Sequence, residues 1–119
     1  MSPYRVMSDD NFHYAEKDER STHGVFATAE QALEACRRLV DRSLMHEYVQ
    51  GGVTAEALYD RYTDFGDDPF VVALDGAPRV NFSAWDYAKQ RTAELTAPGE
   101  EGHRQRQAVL DRERRPGKR

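Results

Sequence analysis

One cysteine, Cys36, stands among 119 residues. A lone thiol closes no internal disulfide and excludes the cysteine-rich zinc motifs, so the fold is expected to rest on core packing in a reducing compartment. Long apolar runs are missing as well. The longest hold only a few residues, as in FVVAL at 70–74, whereas a membrane-spanning helix needs about 20. No membrane partner is expected. MSPYRVMSDD at the start lacks a basic segment followed by an apolar one, so no secretory signal is legible and the cytoplasm is the expected compartment.

Catalytic and cofactor motifs are also absent. No Ser sits in a Gly-x-Ser-x-Gly elbow, and Gly51-Gly52 is not followed by the Lys-Ser/Thr of a phosphate-binding loop. HEYVQ at 46–50 begins like a helical zinc-protease motif, but the mechanism needs a second His one turn on, and Gln50 holds that place. A calcium loop starting at Asp9 would need Gly at its sixth position and Glu at its twelfth; Tyr14 and Arg20 stand there. Cys36 lies three residues from both Leu33 and Leu39, on an apolar helical stripe where a thiol is inert packing. No cofactor is expected, and no catalytic residue is assigned.

What the chain does have is charge, unevenly placed. Charged residues make up 32% and hydrophobic ones 39%, with twelve aromatics, enough to fold. Residues 1–97 hold 10 Lys/Arg against 17 Asp/Glu, while residues 98–119 hold 7 against 4 and no aromatic. An acidic body argues against a nucleic-acid partner, because base-stacking rings work beside a positive groove. The division predicts a single domain over 1–97 and a basic tail from Pro98 onward, disordered or frayed-helical, since so little apolar surface cannot offset the cost of ordering it. A fold-back of this positive tail onto the acidic body is the alternative.

The patterning predicts an α+β fold: a mainly antiparallel sheet of four to five strands packed by three helices, in the order βββ-α-α-ββ-α. Alternation suggests strands around Tyr4 to Val6, around Phe12 to Tyr14, and in THGVFA at 22–27. Thr28 and Gln31 have capping-box spacing before a helix whose apolar positions are Leu33, Cys36, Leu39, Val40, Leu44 and Tyr48. Thr54 caps a second helix burying Leu58, Tyr59, Tyr62 and Phe65, which Gly66 ends. PFVVAL, the turn DGAP and an edge strand RVNF form an expected hairpin. Ser83 and Asp86 start a third helix with Trp85, Ala88, Thr92 and Leu95 on one stripe. Phe26, Leu33, Cys36, Leu39, Val40, Val72 and Leu74 are expected to share one core.

The blocks DNFHY, GVFATAEQALEACRRLVD, FGDDPF and FSAWDYA resemble a family of small uncharacterised bacterial proteins over about residues 3–97. The resemblance implies one bacterial domain and carries no activity. The strongest candidate surface is instead read from the residues. SDDNFHY at 8–14 puts Asp9, Asp10 and Asn11 in a turn, with His13 facing away from the core. If FGDDPF closes nearby, Asp67 and Asp68 extend an acidic rim, and His13 beside it has its pKa raised. The expected role is an interaction or regulatory domain whose rim docks a protein with a basic surface, the edge strand leaving a homo-oligomer open. The alternative is a ligand- or divalent-metal-binding protein, hydrolytic in its boldest form, using those carboxylates.

Overall fold

The computed structural model describes residues 2–10, 21–48 and 53–114. Within them lie three strands, β1 (Tyr4–Asp10), β2 (Ser21–Phe26) and β3 (Asp67–Ala73), and four helices, α1 (Ala29–Glu47), α2 (Ala55–Phe65), α3 (Ala84–Leu95) and α4 (Gly99–Arg114). The fold is α+β. The sheet is antiparallel in the order β2-β1-β3.

Alternation decides which side of the sheet meets the helices. Tyr4, Val6 and Ser8 of β1 are buried, and Arg5, Met7 and Asp9 between them are not. Helix α1 packs on all three strands. Its capping box forms as the spacing predicts: Gln31 N–H donates to Thr28 Oγ1 (3.1 Å), and Thr28 N–H donates to Gln31 Oε1 (3.3 Å). Thr54 and Ser83 cap α2 and α3 through the amides of Ala57 and Asp86. Gly66 is the C-cap of α2, its N–H donating to Tyr62 O (2.8 Å).

Several expectations are corrected. The described residues hold three strands, with β1 flanked by β2 and β3, and four helices, where four to five strands and three helices were expected. The expected strand at Phe12 to Tyr14 lies outside the described residues. RVNF is not a strand: after a turn with Asp75 and Gly76 at positive φ, residues 77–83 run irregularly. Ala77, Val80 and Phe82 pack against the core from this irregular segment.

The expected single core is two clusters, one on each side of α1. Tyr4, Val6, Ala32, Cys36 and Leu39 form the sheet-side cluster, with Phe26, Val71 and Ala73 packed against it. Val72 follows the alternation onto the opposite face. Val40, Leu44, Leu58, Tyr62, Ala84, Ala88, Leu95 and Val109 form the helix-side cluster. Phe65, expected on the buried side of α2, is 53% exposed, and Trp85 on α3 is 44% exposed.

The largest correction concerns the tail, which forms α4 as far as Arg114 and packs on α1 and α3. Val109 is buried in the helix-side cluster. Gly102 is buried against the end of α3, where a Cβ would lie 1.8 Å from Ala97 O, so only glycine permits this approach. Arg106 donates to Leu95 O (2.8 Å) and lies over the Tyr48 ring. Composition misjudged this segment because one valine, one glycine and two arginines, all aimed at one surface, suffice to seat it.

Candidate functional site

Strand register brings the aspartates together. In the β1–β3 ladder Asp9 pairs with Asp68 and Asp10 with Asp67. Asp9 and Asp10 are therefore strand residues, not the turn residues expected, because β1 continues through both. Asn11 and His13 lie outside the described residues. Like charges directly opposite on a sheet repel. The Asp68 carboxyl is pushed above its usual range, first by burial and then by the Asp9 carboxylate.

The inner side of this sheet end is tied to the helices. Ser43 Oγ of α1 accepts from Asp67 N–H (3.1 Å), and the Tyr62 hydroxyl of α2 donates to Asp67 O (2.5 Å). A cavity of about 300 Å³ opens beside Asp67, with Arg42, His46 and Glu47 in its wall. Among the described residues no group of three or more His, Cys, Asp or Glu side chains is arranged to hold a metal ion.

Two arrangements escaped the sequence reading. One is a Ser–His contact, Ser8 Oγ to His23 Nε2 at 2.7 Å. His23 sits where the β1–β2 register shifts, next to Gly24 at φ +125°, so the contact fixes the bulge from below. Ser8 is 3% exposed, which keeps its hydroxyl from a substrate.

The other is a charged hub. Asp41 of α1 is 2% exposed; its Oδ1 accepts from the Tyr87 hydroxyl (2.8 Å) and Arg91 Nε (2.9 Å), and its Oδ2 from Arg112 (2.7 Å). Arg91 also donates to Glu94 (2.8 Å) and Gln105 (2.6 Å). One carboxylate thus joins α1, α3 and α4. Burial first, then the Asp41 charge and hydrogen bond, push the Tyr87 phenol well up. Full hydrogen bonding makes the hub a structural joint. Its signal in the sequence was an acid between Val40 and Leu44 on one apolar stripe and a base between Ala88 and Leu95 on another.

Another concavity lies between the β2 edge and α1, away from Asp9, Asp67 and Asp68. It measures about 930 Å³, walled by His23, Val25 and Phe26 on one side and by Glu30, Glu34, Arg38 and Arg42 on the other. Among the described residues, no helix is long and apolar enough to cross a membrane. No family model matches the chain, and no curated protein or solved structure matches it.

Proposed function

We propose that this chain is a small non-enzymatic interaction or regulatory domain of the bacterial cytoplasm, whose acidic sheet end docks a basic segment of a partner protein. The observation that supports this reading is the Asp9–Asp68 juxtaposition, in which burial and a facing carboxylate raise the Asp68 pKa. A lysine or arginine brought there offsets the repulsion between the facing carboxylates and favours the ionised form of Asp68. The buried thiol Cys36 suits a reducing compartment. Kinship with the small bacterial family rests on the sequence blocks alone.

The same carboxylates support the second reading, a divalent-cation site, because a metal ion also relieves facing acids. Amide resonances separate the two. Titrating a short Lys/Arg-rich peptide should shift the signals of Asp9 and Asp68, and Asp9→Asn with Asp68→Asn should weaken binding about tenfold, about 1.4 kcal/mol. Saturable shifts with calcium, magnesium, manganese or zinc and none with the peptide would replace docking by the metal reading. Silence with all probes defeats both.

A further inference from the structure

The groove beside β2 carries an ordered row of charge. Glu30, Glu34, Arg38 and Arg42 follow one another at four-residue intervals along α1, and all four line the groove. Their order is acid, acid, base, base. Turned by half a revolution about its midpoint, such a row places each acid on a base. A twofold symmetric interface demands this self-complementarity, since the same patch must face itself.

The strand beside the row is the sheet's less guarded edge. Among the described residues both β2 and β3 are edge strands, but β3 contains Pro69 and two aspartates, whereas STHGVF in β2 has neither proline nor a fixed charge. Proline and charge are the usual blocks against edge pairing. A bulge at His23 interrupts β2 without capping it, and Val25 remains 49% exposed. Residues 30–42 span about 18 Å of helix and β2 about 17 Å of strand, so one axis can serve both elements.

We propose that this groove is the interface of a homodimer in which β2 pairs antiparallel with β2 of a second copy and the two α1 helices face each other in opposite directions. Glu30 then meets the partner's Arg42, and Glu34 meets the partner's Arg38. Within one chain these groups hold surface pairs, Glu30 with Arg37 (2.7 Å), Glu34 with Arg37 (3.0 Å), Arg112 (3.6 Å) and Arg38 of the row itself (4.0 Å), and Arg42 with Glu113 (3.7 Å). Such exposed pairs contribute little and exchange readily. The four-residue row is neutral, so its approach to a second copy meets no local repulsion despite the chain's net charge of −4. Arg42 also lines the cavity beside Asp67, but the interface contains neither Asp9 nor Asp68, and its failure would leave the reading built on that pair untouched.

Sedimentation of the full chain from about 5 μM to about 500 μM should give a mass rising toward twice the monomer, with weaker association at high salt. Arg38→Glu with Arg42→Glu makes the row wholly acidic, and Glu30→Arg with Glu34→Arg makes it wholly basic. Each double variant alone should associate at least tenfold more weakly, and an equimolar mixture of the two should dimerise again. A wild-type chain that stays monomeric throughout, or a dimer indifferent to both variants, overturns the proposal. Circular dichroism checks that each variant folds. If either does not, dilution of the wild-type chain decides: amide shifts confined to 22–26 and 30–42 support the interface, and shifts only elsewhere overturn it.

Discussion

Between the sheet and α1 the core is almost wholly apolar, built from Tyr4, Val6, Ala32, Cys36 and Leu39, with Ser8 and His23 as its polar exception. On the other side of α1, Val40, Leu44, Leu58, Tyr62 and Val109 pack beside a buried carboxylate and the two arginines that reach it. The two sides solve different problems. Strands and α1 are held in register by ladder and alternation, so non-directional burial suffices to press them together. Helix α4 is mostly polar and could slide or rotate on α1; three directed hydrogen bonds to Asp41 from two other helices fix one arrangement. The apolar side supplies transfer energy, and the charged side supplies geometry, against the cost of dehydrating an ion.

Removing α4 breaks this division most severely. A chain ending at Ala97 loses Val109, whose burial contributes roughly 1.5–3 kcal/mol, and Arg112, whose charged hydrogen bond contributes about as much again. Those losses take a large share of the roughly 5–15 kcal/mol that stabilises a domain. The truncated chain should melt far lower or without a cooperative transition. Melting within a degree or two of the full-length protein would show that α4 is a mere appendage.

Asp41→Ala should come next, costing about 3–5 kcal/mol, because it strands charge and a phenol in the interior. Urea unfolding measures it. A loss below about 1 kcal/mol would mean that water or the remaining partners Glu94, Gln105 and Glu34 satisfy the arginines.

Base should erode the two sides in turn. Burial raises the Cys36 thiol from 9.0 to about 12 on the sheet side, and burial with Asp41 raises Tyr87 above its usual 10.0 on the helix side. Both groups are neutral when protonated and are raised on folding. Their contributions are therefore complete below the unfolded values and are lost as pH climbs through the folded ones. Stability should start to fall above pH 9 and fall faster above pH 10. Cys36→Ala should delay the onset and leave the later phase. Urea midpoints at a series of pH values test this, and an onset unmoved by Cys36→Ala would count against it.

How far the sequence reveals each side follows from the range of the interactions. Thr28 with Gln31, Thr54 with Ala57 and Ser83 with Asp86 act within one helical turn, and all three caps stand where spacing puts them. The alternation of Tyr4, Val6 and Ser8 is equally local. Asp41 instead meets Arg91 and Arg112 across 50 and 71 residues, and no periodicity encodes such a meeting. The acidic end fell between these cases. Its aspartates were legible as a group, but their pairing depended on a register that only the assembled sheet sets.

The smallest expected effect is at that register. Asp68 has a carboxyl raised by burial and by Asp9, so at neutral pH its ionised form opposes folding. The sign runs opposite to that of a salt-bridged acid: stability is gained as pH falls through the folded value and is lost as it rises. Asp68→Asn keeps the shape, removes the charge, and should stabilise the chain at pH 7 by about 0.5–1 kcal/mol, an increment typical of a relieved cross-strand repulsion. At low pH, where the acid is already neutral, the same substitution should change nothing. The urea midpoint at pH 7 and again near pH 3 measures both arms. A gain at pH 7 that vanishes in acid would identify Asp68 as a residue held at a cost to the fold, the pattern expected of a docking surface. A loss at pH 7 would instead make Asp68 a supporting member of the sheet and move the search for the partner surface to the groove beside β2.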